Sequence, residues 1–363
     1  MKILHISTIR EWRGGDAQML TTYRLMNEYP DIQQIILCPV NSVLATKCQN
    51  EGIEHYTASR KGKQSVPFLK LIIKTVKQHH IDIIHVHDSN AFSLTLIALS
   101  FLPKTKLVYS RKRNNRIKNN YFKKLKYNSK KIDKIVCVSE AVRNVFKGIV
   151  TDMNKVITIY DGIDTHQFKD NTNLSILHKE YNLPEETKIV GNVAGLTHQK
   201  DLYTFIEVAK KVLENTNQKI KFFIIGEGGQ KEDLLEYRNK HNLEKDIIFT
   251  GFRNDVDKVL PEFDVLLMTS VQEGLPLVIY EAFACNIPIV STKAGGVAEA
   301  VVNNISGITA EVKDVEALAN GVLKILNNAV FKEQLVAGGK KLSEEKYNLE
   351  RMKKDYYKLY SSL

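Results

Sequence analysis

Apolar runs rich in β-branched residues alternate with amphipathic segments of helix length along nearly the whole chain, and this alternation most restricts the fold. The runs occupy residues 2–6, 33–39, 82–87, 106–110, 134–139 and 155–160, then 188–194, 221–226, 246–251, 263–270 and 287–292. They lack apolar–polar alternation, which predicts parallel strands covered by helices on both faces. Residues 201–215 (DLYTFIEVAKKVLEN) carry one apolar stripe and predict one of these helices. The sequence therefore predicts an α/β fold.

A polar, turn-rich stretch at residues 165–187 interrupts the alternation. We therefore predict two doubly wound, Rossmann-like domains, at residues 1–168 and 169–346. Residues 347–363 have a helical pattern and no strand after them, so we expect a helix that crosses back to the first domain. Ligands of such sheets bind outside the carboxyl ends of the strands, and we expect the two sets of ends to face a central cleft.

Composition indicates a globular protein, since 43% of the residues are hydrophobic and 26% are charged. The start, MKILHIST, does not have the pattern of a signal peptide. The longest apolar stretch, residues 91–102, is shorter than the roughly 18 residues that span a bilayer. The four cysteines show no CxxC spacing and fit reduced thiols better than a metal site or a disulfide framework. We expect a cytoplasmic protein.

The positive charge is confined to the first half of the chain. Residues 1–165 hold 27 Lys and Arg against 13 Asp and Glu, a net charge of +14, whereas the whole chain carries +11. The segment RKRNNRIKNNYFKKLKYNSKK (111–131), named the basic segment below, has ten basic residues and no acidic one. It can face an anionic bilayer, an anionic acceptor or nucleic acid, or it can be a solvated helix face.

Two glutamates bracket the stretch EGLPLVIYE (273–281). The run before it predicts a strand that ends near residue 270, and Pro276 suits the first turn of a helix. Glu273 is then expected in the loop at the strand end, and Glu281 within the helix. The free amides of Leu277 and Val278 would open the helix as an anion site. This arrangement suits a sugar nucleotide. One carboxylate can accept hydrogen bonds from sugar hydroxyls, the amides can hold a phosphate, and the second carboxylate can accept from ribose hydroxyls.

Three further places carry candidate chemistry. Lys200, in the loop NVAGLTHQKD (192–201) between a strand and a helix, can put a positive charge on a diphosphate. The pair Gly14 and Gly15 allows close approach of the backbone to a ligand, or forms a plain tight turn. His85 and His87 lie two apart on one strand and could bind a metal, but no third ligand is evident, and a core histidine is the commoner explanation for one of them.

These segments resemble the retaining glycosyltransferases of family 4, which have the two-domain GT-B fold. The resemblance covers essentially the whole chain and is strongest in the second half. The Glu-x7-Glu motif of the family matches EGLPLVIYE, its Gly-rich first loop matches RGGDAQ (13–18), and its H-x-H matches HVH (85–87). VSEAV (138–142), YDGID (160–164), GEG (226–228), GFRND (251–255) and AGGVAE (294–299) stand where the family has similar segments.

The resemblance implies a retaining transfer of a sugar from a nucleotide diphosphate donor, UDP- or GDP-linked, to a hydroxyl of a glycan or lipid-linked acceptor in cell-surface polysaccharide synthesis. The departing phosphate helps to take the proton, so neither a metal nor a cofactor is expected. His87, Lys200 and Glu273 are the implied catalytic residues. Donor contacts are implied for Gly14, Gly15, His198, Lys200, Phe252, Arg253, Glu273, Gly274, Leu275, Leu277, Val278 and Glu281. Asp88, Arg111 and Arg113 are assigned to the acceptor side, and His85 to the structure.

One position departs from the family pattern. The phosphate loop of the family corresponds to NVAGLTHQKD (192–201) in this chain. Many members have an arginine followed by leucine before the lysine of this loop, whereas this chain has Gly195 before Leu196. The second cation for the diphosphate would then come from His198, or from Arg111 or Arg113.

Three other functions share some of these sequence features. A sugar-nucleotide 2-epimerase shares the architecture and the donor, but it needs an acid–base set at C2 of the sugar that we cannot assign. A nucleic-acid-binding protein would use the basic segment, which has few interleaved aromatics and no recognised motif. A NAD-binding Rossmann protein would have a G-x-G-x-x-G after the first strand, and this chain has none there.

The DVD at 255–257 follows GFRN, so we interpret Asp255 as a helix start and predict no metal site there. The basic first domain suggests peripheral contact with an anionic membrane.

Overall fold

The computed structural model describes residues 1–12, 14–59, 65–164 and 174–363. It divides into two compact units, the first comprising Met1–Asp161 and Leu349–Leu363 and the second Gly162–Asn348. The predicted boundary between residues 168 and 169 lies outside the described residues.

The first unit is built on a parallel seven-stranded sheet. Its strands are β1 (Lys2–Ile6), β2 (Gln33–Pro39), β3 (His55–Ala58), β4 (Ile83–Val86), β5 (Lys106–Arg111), β6 (Lys134–Cys137) and β7 (Val156–Thr158), in the order β3-β2-β1-β4-β5-β6-β7. Its helices are α1 (Gly14–Met26), α2 (Val43–Asn50), α3 (Val66–His79), α4 (Ser89–Ala98), α5 (Tyr121–Tyr127), α6 (Glu140–Asn144) and the C-terminal helix α15 (Leu349–Ser361).

The second unit repeats the plan with a parallel six-stranded sheet. Its strands are β8 (Lys188–Val193), β9 (Ile220–Ile225), β10 (Ile247–Gly251), β11 (Val265–Met268), β12 (Ile289–Thr292) and β13 (Ile308–Ala310), in the order β10-β9-β8-β11-β12-β13. Its helices are α7 (Ile176–Glu180), α8 (Leu202–Glu214), α9 (Lys231–Lys240), α10 (Val256–Val259), α11 (Val278–Ala284), α12 (Val297–Ala300), α13 (Val315–Asn327) and α14 (Ala329–Lys346). The observed architecture confirms the predicted α/β fold with two doubly wound sheets.

Two strands were missed from the sequence, β3 and β13, and both lie at a sheet edge. The first is HYTA, in which no residue is fully buried, and the second is the three-residue ITA. An edge strand packs against a neighbour on one side only, so it needs fewer apolar residues and gives a weaker pattern. The missed strands add one strand to each sheet.

The C-terminal helix belongs to the core of the first unit. Met352, Tyr356 and Tyr360 are buried and pack with Ile3 of β1 and Met26 of α1. This packing agrees with the predicted return of the last segment. No helix among the described residues is both long enough and apolar enough to cross a bilayer.

Candidate active site

The carboxyl ends of the strands in the first unit surround a cavity of about 480 Å³. It is lined by five of the residues assigned from sequence, namely Gly15, His87, Asp88, Arg111 and Arg113, together with Ile9, Asp16, Ser89, Asn90, Tyr109, Ser110, Lys112 and Asn115. The strands are parallel, so their carboxyl ends meet at one edge of the sheet, which brings these distant segments together. Gly14, the first residue of α1, is exposed and does not line the cavity.

The carboxylate of Asp88 joins two segments of this edge. Its Oδ1 accepts hydrogen bonds from the amides of Asn90 and Ala91 at 2.8 and 3.0 Å, which caps α4. Thr8 donates from its amide, at 2.6 Å, and from its hydroxyl, at 2.8 Å. The four bonds hold the loop after β1 against the start of α4, so Asp88 has a structural function beside its predicted place near the acceptor.

The basic residues at the end of β5 differ in exposure. Arg111 is 6% exposed and donates to the carbonyl and side-chain oxygens of Asn115, while Arg113 is exposed. Lys112 donates to both carboxylate oxygens of the buried Asp161, at 2.9 and 3.1 Å. The charge of Arg113 is therefore accessible to solvent, whereas that of Arg111 is held by Asn115.

The structure corrects the expectation that the histidine pair has no third neighbour. His5 of β1 lies beside His85 of β4 in the sheet register, and one ring nitrogen from each of His5, His85 and His87 fits within 4.8 Å. His85 is fully buried, and its ring nitrogens contact the hydroxyls of Tyr360, at 2.6 Å, and Ser110, at 2.7 Å. Sequence alone could not place His5 here, because strand register is set by tertiary packing.

In the second unit, the two residues assigned as catalytic contact each other. Lys200, in the loop after β8, donates from Nζ to Oε1 of Glu273, in the loop after β11, at 2.6 Å. The hydroxyl of Ser270 donates to the same oxygen at 2.7 Å. The two charged side chains are 22% and 11% exposed. The hydroxyl of Thr269 donates to the carbonyl oxygens of Lys200 and Asp201, at 3.1 and 3.0 Å, and so ties the two loops together.

Helix α11 begins at Val278, two residues after Pro276, so the predicted position of the proline inside the first turn was wrong. The first backbone bonds run from the amide of Ile279 to Pro276 and from that of Tyr280 to Leu277. Leu275 and Val278 are buried, so only their backbone can face a ligand.

Glu281 lies in the first turn of α11 and is partly buried. Burial, and next the carboxylate of Asp257, raise the pKa of its carboxyl to about 7. A partly buried carboxyl beside a second one is an unfavourable place for a charge unless a ligand supplies hydrogen-bond donors.

Two glycines let the loop after β9 approach the phosphate loop after β8. A Cβ atom on Gly226 would lie 2.0 Å from the carbonyl oxygen of Ala194, and one on Gly228 would lie 2.3 Å from that of Leu196. The contact also fixes His198, whose Nδ1 lies 2.7 Å from Nε2 of the buried Gln230. His198 is exposed and is thereby held at the surface of the phosphate loop.

The charge of Arg253, one of the implied donor contacts, is paired with carboxylates of the second unit. The guanidinium of Arg253 donates to both carboxylate oxygens of Asp255, at 2.9 and 2.8 Å, and to Glu180 at 2.7 Å. Asp255 precedes α10 but makes no side-chain cap, since Arg253 takes its carboxylate. Phe252 is 76% exposed.

Several residues of the site were missed from the sequence. They are His5, Asp16, Gln34, Ser110, Lys112, Gln230 and Ser270. Four of them contact residues singled out from the sequence, namely His5, Ser110, Gln230 and Ser270, whereas Asp16, Gln34 and Lys112 contact Ser7, His5 and Asp161. Asp16 had a signal, because it follows the glycine pair directly, and its buried carboxylate accepts from Ser7 at 2.6 Å.

Models of two glycosyltransferase families match adjoining parts of the chain. Residues 40–167 match Glycosyltransferase Family 4, and residues 175–342 match Glycosyl transferases group 1. The UDP-Gal:alpha-D-GlcNAc-diphosphoundecaprenol alpha-1,3-galactosyltransferase of Escherichia coli is 27% identical over 348 residues, which cover 91% of this chain and 89% of that enzyme. The N-acetyl-alpha-D-glucosaminyl L-malate synthase of Bacillus anthracis is 23% identical over 238 residues, 65% of this chain and 61% of that enzyme.

Solved structures share the fold at low identity. HepE of Anabaena, solved in complex with UDP and glucose, superposes with a TM-score of 0.86 at 19% identity over the whole of both chains. A TarM variant of Staphylococcus aureus, solved with UDP and glycan ligands, gives 0.78 at 15% identity over 99% of each chain. The two family models together cover most of the sequence. Together with the curated relatives, they show that this chain belongs to the group 1 glycosyltransferases.

Proposed function

We propose that the protein is a retaining, metal-independent glycosyltransferase that moves a sugar from a UDP- or GDP-linked donor to a hydroxyl of a glycan or lipid-linked acceptor. The observation that carries this proposal is the contact of Lys200 with Glu273, supported by Ser270, at the carboxyl edge of the second sheet. The names of relatives add support, since the E. coli relative uses UDP-Gal and a lipid-linked acceptor by its name.

Lys200 and Glu273 suit opposite parts of one donor. A carboxylate near a diphosphate repels it, and the ammonium of Lys200, 2.6 Å away, offsets this repulsion. Glu273 is then able to accept hydrogen bonds from sugar hydroxyls, while Lys200 stabilises the charge that develops on the departing phosphate. Glu281 would accept hydrogen bonds from the ribose.

Retention follows if the acceptor hydroxyl attacks from the side on which the diphosphate leaves. The C1–O bond to the diphosphate breaks, a bond from C1 to the acceptor oxygen forms, and the acceptor proton passes to the departing phosphate. No protein base is then required, which agrees with the structural bonds that already engage Asp88.

A thermal-shift screen with UDP, GDP, ADP and CDP, followed by transfer assays, tests the proposal. We expect stabilisation by UDP or GDP, and a product whose anomeric configuration, measured by NMR, equals that of the donor. Stabilisation by none of the four would contradict the donor site. Release of an epimerised sugar without an acceptor would favour the 2-epimerase instead.

Gly195 offers a gain-of-function test. Among the described residues, a Cβ atom there meets only the carbonyl oxygen of Glu227, at 3.7 Å, which is ordinary contact, and the residue is exposed. We expect Gly195→Arg to add the second cation and lower the KM for the donor about 3- to 10-fold, the value of one exposed charged hydrogen bond. Gly195→Ala is the matched control and should leave KM unchanged. An unchanged or higher KM in Gly195→Arg would show that the diphosphate lies elsewhere.

The basic segment supports an acceptor at the membrane. Helix α5 within it exposes Tyr121, Phe122 and Leu125 to 74%, 78% and 61%. Tyr121, Lys124 and Leu125 also line a mainly apolar cavity of about 520 Å³ with residues 148–151. Exposed aromatic and aliphatic side chains amid lysines are typical of a surface that enters a lipid headgroup layer.

We expect the protein to sediment with anionic vesicles at low salt, and Phe122→Asp to reduce binding at least about 10-fold, since burying one phenylalanine contributes roughly 1.5–3 kcal/mol. Phe101→Asp changes an exposed phenylalanine outside the basic segment and serves as the control. Failure of the unaltered protein to bind at any salt concentration would contradict membrane contact.

A further inference from the structure

Helix α5 borders a groove that shares no lining residue with the cavity at the carboxyl edge of the first sheet. One side of the groove is a stripe of side chains at i, i+3, i+4 and i+7 spacing, namely Tyr121, Lys124, Leu125 and Asn128. The other side is formed by residues 148–151, and the space between them is about 520 Å³. This space is named the α5 groove below.

Two other residues of the basic segment fix α5 against α4. Tyr127 is 5% exposed, and its ring centroid lies 5.6 Å from that of Phe92. Nζ of Lys126 donates to the hydroxyl of Ser93 at 2.6 Å and lies 4.6 Å from the centroid of the Phe92 ring. The helical wall of the groove is therefore held in place before a ligand binds, which lowers the entropic cost of binding.

The floor of the α5 groove has its polar groups already paired. Nδ2 of Asn128 donates to the carbonyl oxygen of Ile149 at 2.8 Å, and Oδ1 accepts from the amide of Thr151 at 2.7 Å. The amides of Ile149 and Val150 donate to the carbonyl oxygen of Phe146, at 2.9 and 3.0 Å. A polar ligand would lose its hydration and find few partners on this floor, so the groove suits a hydrocarbon.

The basic segment carries positive charge from the cavity to the groove. Asn115 lines the cavity and Tyr121 lines the groove, and the chain between these two residues spans at most about 21 Å. Arg116 and Lys118 lie on this connection, and Lys124 lies at the groove. All three are exposed, and none forms an ion pair with a carboxylate among the described residues. An apolar groove beside free cations suits an anionic amphiphile.

We infer that the α5 groove binds the hydrocarbon chain of a phosphate-linked lipid acceptor. Its phosphate is then placed near Arg116 and Lys118, and its sugar in the cavity at the carboxyl edge of the first sheet. That the lipid is the acceptor rests on the proposed function, whereas binding of an alkyl phosphate in the groove does not. The site also differs from the proposed membrane contact of Phe122, which does not line the groove.

A series of alkyl phosphates tests the groove directly. Hexyl, octyl and decyl phosphate, each below its critical micelle concentration, are titrated into the full-length protein in a calorimeter. We expect the Kd to fall about 3- to 4-fold for each added CH₂, the value of one methylene removed from water. Inorganic phosphate, which has no chain, should bind more weakly than all three.

Two variants separate the groove from the membrane surface. Thr151→Trp fills the groove from an exposed position, so it should abolish the dependence on chain length and leave sedimentation with anionic vesicles unchanged. Phe122→Asp should do the opposite. Leu125→Gln removes part of the apolar wall, should weaken the dependence, and keeps the test available if the tryptophan variant does not fold. Thr46→Trp, at an exposed threonine of α2, is the matched control.

The charge of the connection has its own test. Replacing Arg116 and Lys118 together by alanine should raise the Kd of all three alkyl phosphates by the same factor, about 3- to 10-fold, and leave the dependence on chain length intact. The double change Lys240→Ala with Lys245→Ala removes two exposed lysines of the second unit and is the control.

Three results would overturn the inference. The first is a Kd that does not depend on chain length. The second is a loss of vesicle binding in Thr151→Trp with an unchanged dependence on chain length, which would make the groove part of the membrane surface. The third is a dimer, seen by sedimentation velocity, that Thr151→Trp disrupts, which would assign the groove to a second copy of this chain.

The acceptor assignment is tested separately with the transfer assay. An acceptor sugar joined to decyl diphosphate should have a lower KM than the free sugar, and Thr151→Trp should remove this difference. An equal KM for the two would overturn the assignment. If no nucleotide sugar is used at all, the proposed function fails and the acceptor assignment with it, while the alkyl phosphate series still decides whether the groove binds a hydrocarbon chain.

Discussion

Lys200→Ala is expected to lower kcat/KM about 10³-fold or more, the largest effect of any single change proposed for this protein. Removal of one group that stabilises transition-state charge in a water-excluded site costs about 10²–10³. The loss here is greater because Lys200 also neutralises Glu273, 2.6 Å away, beside the diphosphate. Steady-state kinetics with the donor identified by the thermal-shift screen measures it.

Variants around Lys200 separate catalysis from stability. Lys200→Ala leaves the 11%-exposed Glu273 with Ser270 as its remaining partner, which should destabilise the unit by roughly 1–3 kcal/mol. The double change Lys200→Ala with Glu273→Gln should recover that stability and none of the activity. Lys219→Ala, at an exposed ion pair with Glu186, is the control. Activity within 10-fold of normal in Lys200→Ala would contradict the assignment.

Glu281→Gln is expected to weaken nucleotide binding and to stabilise the free protein at the same time. An ionised carboxylate that accepts from ribose hydroxyls makes charge-assisted bonds worth about 1.5–3 kcal/mol each, so we expect a Kd at least 10-fold higher in the variant at pH 8. Since the pKa of Glu281 in the free protein is about 7, binding should weaken and release a proton as pH falls below 7. Calorimetry in two buffers of different ionisation enthalpy measures both quantities.

The stability effect has the opposite sign to that of an ordinary carboxylate. The pKa of Glu281 rises from 4.5 in the unfolded chain to about 7 in the fold, so the folded state binds the proton more tightly. Its contribution to stability is full below pH 4.5, falls as pH rises to 7, and stays as a cost of at most about 3 kcal/mol above that, at 1.36 kcal/mol per pKa unit. The melting temperature of Glu281→Gln should therefore exceed that of the unaltered protein at pH 8 and equal it at pH 4.5. Equal melting temperatures at pH 8 would disprove the raised pKa.

The sequence determined the layers of the fold because a strand buried on both faces is a continuous apolar run in the sequence. The run QQIILCP was predicted at residues 33–39, and β2 has those bounds. The edge strands β3 and β13 show no such run, since each has a neighbouring strand on one side only. Helix ends are less sharply encoded than strands: α11 begins at Val278, two residues after Pro276.

For the site, the sequence by itself determined which loops carry chemistry, because each candidate follows a strand and the carboxyl ends of parallel strands share one edge. It thus singled out Lys200 and Glu273, which the structure places in contact, and five of the residues that line the first cavity. Tertiary structure alone decided their partners and charge states. Examples are the hydrogen bond from Ser270 to Glu273, the burial that raises the pKa of Glu281, and the side-chain contacts of His5 with Gln34 and His87. The physical reason is that hydrogen-bond partners and desolvation depend on strand register and packing between segments far apart in sequence, which no local pattern encodes.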